Sequence, residues 1–224
     1  MTRVSPATLH ARRRRALTAA RPRATALPNA ISIVVDVSDT PTRTFPITVV
    51  RHGETEWNER RIIQGHTNSS LNETGREQAR ALAESLRELG FDQIVASDLD
   101  RTKETALVIG EVLGLTPQMD PLLRERSFGE YEGRPTDDLS SDLTGIVESV
   151  YVNPDARPPG GESFRDVVTR AQLFLERADE EWPDDRLLVV THGGMVQALR
   201  AASSQRPLEG TLWFRVGNCT TWTL

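Results

Sequence analysis

Residues 45–224 of this 224-residue chain read as an α/β domain. The expected form is a three-layer α/β/α sandwich: a mostly parallel central sheet with an antiparallel edge and a small cap insertion. Three observations predict it. Short apolar runs alternate with stretches of helical period. The strongest run, RLLVVT at Arg186–Thr191, is apolar almost throughout, as a strand covered on both faces must be. Three of the apolar runs lead directly into polar residues capable of chemistry, which is where open α/β sheets bind ligands.

The elements follow in order. Phe45–Val50 reads as a buried strand ending at Arg51-His52-Gly53. Thr74 to Glu77 has the spacing of a capping box. Behind it Ala79, Leu82, Ala83, Leu86 and Leu89 form one helical stripe, and Gly90 stops the helix. Asp92–Ser97 is a short strand. Asp98–Val112 is a helix with Ala106, Ile109, Val112 and Leu113 inward and Gly114 as its stop. From Pro121 to Gly161 the pattern weakens, with only Leu139–Val150 helical, and the stretch is expected to cap the sheet's end. A capped helix runs from Ser163 to about Trp182, with Pro183 beyond. After the Arg186–Thr191 strand comes His192-Gly193-Gly194, then a helix over Met195–Ala202. Leu212–Val216 and Cys219–Leu224 are expected as closing strands. No internal repeat is visible.

Charge is unevenly spread. Residues 1–45 hold eight arginines against two aspartates, whereas residues 46–224 carry 19 basic and 30 acidic side chains, a net −11. An acidic body argues against broad nucleic-acid binding, which needs a basic face. It leaves room for a small anionic ligand in a local arginine pocket. A single cysteine, Cys219, excludes an internal disulfide and a cysteine-rich zinc site. It is expected as a small buried residue on a strand. No apolar run has the length of a membrane span, and a cytoplasmic location is expected. Residues 1–44 are expected to be a disordered arginine-rich extension. An over-extended gene start, with translation from near Val37, and an organelle transit peptide are the competing readings. ISIVVDV at Ile31–Val37 is a weak strand candidate.

Three segments at expected strand ends carry the chemistry: Arg51 to Thr55, Ser97 to Thr102 and Thr191 to Gly194. Their topology gathers two histidines and two arginines on one rim. A neutral imidazole is a good nucleophile toward phosphorus, and guanidinium groups match phosphate oxygens while keeping their charge. Phosphoryl transfer needs mainly positioning and charge stabilisation, which such a set supplies without a metal. The histidines also lack metal-ligand spacing, the nearest pair being His52 and His66.

At these residues the chain resembles the histidine phosphatase superfamily, also called phosphoglycerate mutase-like. RHGETEWN (51–58), IQGHTNSSLNETG (63–75), SDLDRTKETA (97–106), LLRERSFGEYEG (122–133), PGGES (159–163) and VVTHGG (189–194) carry the resemblance in order across residues 46–224. It implies that His52 is the nucleophile that becomes phosphohistidine. Arg51, Arg101 and His192 would form the phosphate pocket, with Asn58 adding an amide donor. Glu125 would protonate the leaving oxygen and then activate water. Gln64 and Gly65 would line the entrance, and no metal or cofactor is implied. The family often has Pro-Leu-Thr before the first long helix, where this chain has Ser70-Leu71-Asn72, a loop without a catalytic side chain.

Residues with two readings remain. Arg101 would otherwise be a surface arginine paired with Asp98 or Glu104, and Glu130 and Glu132 lie close to Glu125. Trp57 fits core and pocket wall equally, His66 reads as a loop residue, and His10 lies in the extension. Residues 127–160 carry two arginines, Arg134 and Arg157, among seven carboxylates. A cap so acidic suits a hydrolase of small phosphomonoesters better than a mutase, which must hold a second anionic group. The expected partner is a small phosphomonoester, with no nucleic acid or membrane, and a homodimer is compatible with the terminal strands. A phosphoglycerate mutase and a non-catalytic relative that binds phospho-ligands or partner proteins are the alternative functions.

Overall fold

The computed structural model describes residues 43–136, 153–204, 207–208 and 215–224. The expected strand at Ile31–Val37, His10, the helix at Leu139–Val150 and most of the Leu212–Val216 strand lie outside them.

The described residues form a five-stranded sheet between two helical layers. Its strands are β1 (Thr48–Arg51), β2 (Gln93–Ala96), β3 (Gln118–Met119), β4 (Leu187–Thr191) and β5 (Thr221–Thr223), in the spatial order β3-β2-β4-β1-β5. Every neighbouring pair is parallel except β1 with β5, the antiparallel edge. The helices are α1 (Glu56–Glu59), α2 (Glu73–Leu86), α3 (Asp100–Leu113), α4 (Phe164–Glu181) and α5 (Gly193–Ser204). None of the described helices is long and apolar enough to cross a membrane.

Side-chain alternation along the strands sorts the core into two layers. Leu187 and Val189 of β4 join Val49 and Val95 beneath Val167, Ala171 and Phe174 of α4 and Met195 and Leu199 of α5. Leu188 and Val190 face the other way, joining Val50, Ile94 and Ala96 under Leu82, Ala83 and Leu86 of α2 and Ala106 and Ile109 of α3. Burial on both faces explains why β4 is apolar along its length.

Local details correct several expectations. The N-cap of α2 is Asn72, whose side chain accepts from Gly75 N at 2.8 Å; no capping box begins at Thr74, which already lies in the first turn. Leu89 is 50% exposed because the chain tightens into a 3-10 turn at Arg87–Leu89, which rotates it off the Ala79–Leu86 stripe. Gly90 and Gly114 do end their helices in the left-handed conformation. Ser163 and Asp166 cap α4 reciprocally. Cys219 is not on a strand: its φ of 48° places it in a turn before β5, where its N–H donates to Arg51 O at 3.0 Å. The short helix α1, capped by Thr55 and Asn58, has too few residues to show a period and was not expected.

Candidate active site

Register brings the two histidines together. β1 and β4 pair with Arg51 opposite Thr191, and His52 N donates to Thr191 O at 2.9 Å. The next residue on each strand is a histidine, and their rings meet edge to face with centroids 5.3 Å apart. Ser97, just past β2, lies beside them: its hydroxyl is 2.9 Å from His192 Nε2. The loop after β1 hugs the start of α2 so closely that a Cβ on Gly75 would sit 2.1 Å from Glu54 O, and one on Gly53 would sit 2.5 Å from Gly75 O. Glycine at both positions lets the chain turn away and leave the His52 ring at the sheet's end.

The tautomer of His52 follows from its neighbour. Nδ1 lies 2.7 Å from Gly53 O, a carbonyl that only accepts, so Nδ1 carries the proton and Nε2 keeps a free lone pair. Burial first, then the positive charges of Arg101 and Arg51, hold the His52 pKa well below its ordinary 6.5. Burial and the same arginines lower His192 in the same way. At neutral pH both rings are uncharged.

Arg101, in the first turn of α3, is 1% exposed. Its Nη2 donates to Gly65 O at 2.7 Å and its Nη1 to Thr67 O at 3.1 Å. Burial draws its pKa down to about 10, against the attraction of Glu125, so it stays charged. The carboxylates that offered it a surface role are engaged elsewhere: Asp98 with Arg124, Glu104 with Arg76. Arg51 is held through Nη1, which donates to Val216 O at 2.5 Å, and burial lowers its pKa too. Arg51 Nε, Arg101 Nε and His192 Nδ1 are buried without a hydrogen-bond partner. Leaving such groups unpaired costs about 1–3 kcal/mol each, so their concentration around His52 marks a place for an anion.

Two amides stand beside this floor. Asn58 Oδ1 accepts from Thr55 N at 3.2 Å and lies 3.4 Å from Asn218 Nδ2, which also donates to His52 O. Gln64 Oε1 accepts from Ser69 Oγ at 2.6 Å. With their oxygens engaged, both side chains have NH2 groups to offer the cavity they line.

Glu125 reaches the same cavity from the loop after the 3-10 turn at Pro121–Leu123. Its Oε1 accepts from Arg126 N at 2.8 Å and its Oε2 from Gly194 N at 3.1 Å, at the start of α5. A Cβ on Gly194 would come within 2.3 Å of the carboxylate, so this glycine admits Glu125. Glu132 serves elsewhere, accepting from the backbone N–H groups of His66, Thr67 and Phe128, and Glu130 is exposed.

The cavity measures about 350 Å3, and Arg51, His52, Asn58, Gln64, Gly65, Arg101 and Glu125 all line it; His192 does not line it but is fully buried with its ring against that of His52. Trp57 is half-buried outside it. Several lining residues escaped the sequence reading: Arg126, Phe128, Phe164 and Arg215. The arginine doublet flanking Glu125 in LRERS was the available signal for Arg126. Nothing local marked Arg215.

Known proteins share this fold and part of this sequence. The chain is 38% identical over 173 residues to a probable phosphoglycerate mutase, GpmB, of Enterobacter sp. strain 638, covering 77% of this chain and 80% of that one. Among solved structures, a mycobacterial glucosyl-3-phosphoglycerate phosphatase complexed with VO3 superposes with a TM-score of 0.69 at 33% identity, covering 74% of this chain and 84% of that one. The α-ribazole phosphatase of Shigella flexneri gives a TM-score of 0.68 at 30% identity, over 77% and 86% of the two chains. The model of the histidine phosphatase superfamily, branch 1, matches residues 47–224, and the chain belongs to that superfamily.

Proposed function

We propose that this protein hydrolyses small phosphomonoesters through a phosphohistidine at His52. The observation that carries the reading is the set of unpartnered buried nitrogens, Arg51 Nε, Arg101 Nε and His192 Nδ1, around a neutral imidazole with Nε2 free. In the first step His52 Nε2 attacks phosphorus, the ester P–O bond breaks, and Glu125 gives its proton to the leaving oxygen. Arg51 and Arg101 balance the charge on the equatorial oxygens, with the neutral His192 imidazole and the Asn58 amide as further donors. In the second step the Glu125 carboxylate takes a proton from water, whose oxygen attacks phosphorus. The P–N bond breaks, inorganic phosphate leaves, and His52 and Glu125 regain their starting forms. Fixed positive charge performs the role that a cation fills in other phosphoryl-transfer sites, so no metal or cofactor enters the scheme.

A second reading, a mutase that returns the phosphoryl group to another hydroxyl, draws on the cavity wall. The acidic cap spoke against a second anion site, yet Arg126 and Arg215 line the cavity from outside residues 127–160. Similarity to the probable mutase GpmB points the same way, while the names of the two solved relatives point to hydrolysis of an organic phosphate.

The test uses the full chain with para-nitrophenyl phosphate in EDTA. Steady release of nitrophenol is expected, together with an acid-labile, base-stable phosphoprotein on rapid quenching. His52→Ala abolishes both. Turnover that survives His52→Ala overturns the nucleophile. Phosphoglycerate converted to its isomer faster than inorganic phosphate appears establishes the mutase instead.

A further inference from the structure

Glu125 sits in an irregular segment, whereas the phosphate-binding side chains rise from strand ends and a helix start. Its backbone is held by side chains. The carbonyl oxygen of Glu125 accepts from His66 Nε2 at 2.8 Å and from Arg170 Nη2 at 3.1 Å. A carbonyl has no proton to give, so Nε2 of His66 is the protonated nitrogen in this contact.

The place of His66 in the chain gives that bond its consequence. It stands between Gly65 and Thr67, whose carbonyl oxygens fix the two terminal nitrogens of Arg101. The same three-residue loop therefore grips the phosphate-clamping guanidinium with its backbone and the proton donor's backbone with its one imidazole. Glu132 reinforces the join: Oε1 accepts from His66 N at 3.0 Å and Phe128 N at 2.9 Å, and Oε2 from Thr67 N at 2.9 Å. Hydrogen bonds to backbone hold this Glu132 carboxyl below the usual range, against the opposing pull of its partial burial, so it remains an acceptor through neutral pH.

We infer that His66 is a positioning residue that ties the Glu125 backbone to the loop holding Arg101, fixing the separation between phosphate clamp and proton donor. The inference rests on the reading of Glu125 as the acid. His66 is absent from the cavity lining; besides Glu125 O at 2.8 Å, its Nε2 has only the longer 3.8 Å approach to Glu162 Oε2, so its route to the site runs through the Glu125 backbone. A displaced acid harms substrates whose leaving oxygen needs a proton far more than those whose leaving group departs as a stable anion.

The experiment compares kcat/KM for β-glycerophosphate, an alkyl ester, with that for para-nitrophenyl phosphate. The variants are His66→Ala, His66→Gln, Glu125→Gln and the His66→Ala/Glu125→Gln double. His66→Ala is expected to lower the alkyl value about 10–100-fold, in line with displacement of a catalytic group by an ångström, and the nitrophenyl value several-fold less. His66→Gln, whose amide can still donate at a similar reach, recovers most of the loss. In the Glu125→Gln background, adding His66→Ala changes the alkyl value by less than about twofold, because the two act as one unit. Equal losses on both substrates, no recovery with glutamine, or full additivity in the double variant overturns the role of His66. Where His66→Ala does not fold, His66→Asn, with a shorter donor, takes its place in the cycle. If Glu125→Gln alone leaves the alkyl reaction intact, the acid assignment has failed, and the proposal for His66 falls with it by a distinct route.

Discussion

The floor and the rim of the candidate active site are built by opposite means. On the floor, His52 and His192 follow adjacent parallel strands, and their approach is fixed by the pairing of Arg51 with Thr191. At the rim, Glu125 lies in a loop whose carbonyls are gripped by Arg170: Leu122 O at 2.7 Å, Arg124 O at 3.0 Å and Glu125 O. Arg170 is itself paired with Glu162, whose Oε2 also accepts from Ser127 N. Backbone ladders set the floor, and a few charged side chains set the rim. The histidines of the floor therefore owe their approach to strand pairing, while its arginines are held by loop carbonyls, Arg101 by Gly65 O and Thr67 O and Arg51 by Val216 O. The rim depends on Arg170 and Glu162, which lie outside the cavity lining.

The largest expected effect that separates the two belongs to Arg101. In the proposed mechanism its replacement by alanine removes a charged donor to the transferring group, and a loss of about 10²–10³-fold in kcat/KM is expected on alkyl and nitrophenyl esters alike. Lysine at this position restores little, since one ammonium cannot hold both Gly65 O and Thr67 O while also facing a phosphate. Initial rates on the two ester classes check this. A loss confined to alkyl esters would move Arg101 from floor to rim and dissolve the distinction.

The difference explains what the sequence made legible. His52, His192 and Arg101 were readable because each lies within a few residues of a periodic element, and the backbone period fixes where the next side chain emerges. The division of the core between the two faces of the sheet follows from the alternation of side chains along the strands. Arg126, Arg215, Phe164 and Asn218 reach the site by packing between segments distant in sequence, which no local period encodes. His66 read as a loop residue and is one; its bond to Glu125, 59 positions away, depends on how two loops meet. Leu89 and Cys219 erred for a related reason: one added 3-10 turn and one positive φ change the direction of a side chain without changing the apolar pattern.

A middle-sized effect concerns pH and belongs to the floor. The folded pKa values of His52 and His192 lie well below 6.5, their value in an unfolded chain. As pH falls below about 6.5 the unfolded chain takes up protons that the folded one does not, so stability declines with acidification until the folded values are reached. The melting temperature is expected to drop between pH 7 and pH 5. His52→Asn, which cannot titrate, makes the drop shallower. Inorganic phosphate opposes it by favouring charged imidazoles beside an anion. A slope unchanged in His52→Asn would mean that other groups govern the acid limb.

The smallest effect lies away from both regions. Arg43, at the edge of the stretch expected to be disordered, donates from Nη1 to Ala178 O at 2.6 Å and from Nη2 to Trp182 O at 2.7 Å and Asp185 O at 3.0 Å. Trp182 O and Asp185 O lie just beyond the C-terminal end of α4, where helical partners run out, while Ala178 O also accepts from Trp182 N at 3.0 Å. Thr44 N adds a bond to Pro183 O. Among the described residues, contacts with the domain extend to Arg43, two residues before the expected start at residue 45, because a single arginine can cap a helix without belonging to any periodic element. Arg43→Ala is expected to cost about 1–2 kcal/mol of stability, the usual worth of charged hydrogen bonds to part-buried carbonyls, with kcat and KM unchanged. A chain starting near Val37 keeps Arg43 and is expected to match the full chain in both stability and rate. Denaturant titration of the three proteins checks this order. A rate loss in Arg43→Ala would show that the C-terminal end of α4 communicates with Arg170 on the same helix, and that the rim's support extends further than its hydrogen bonds indicate.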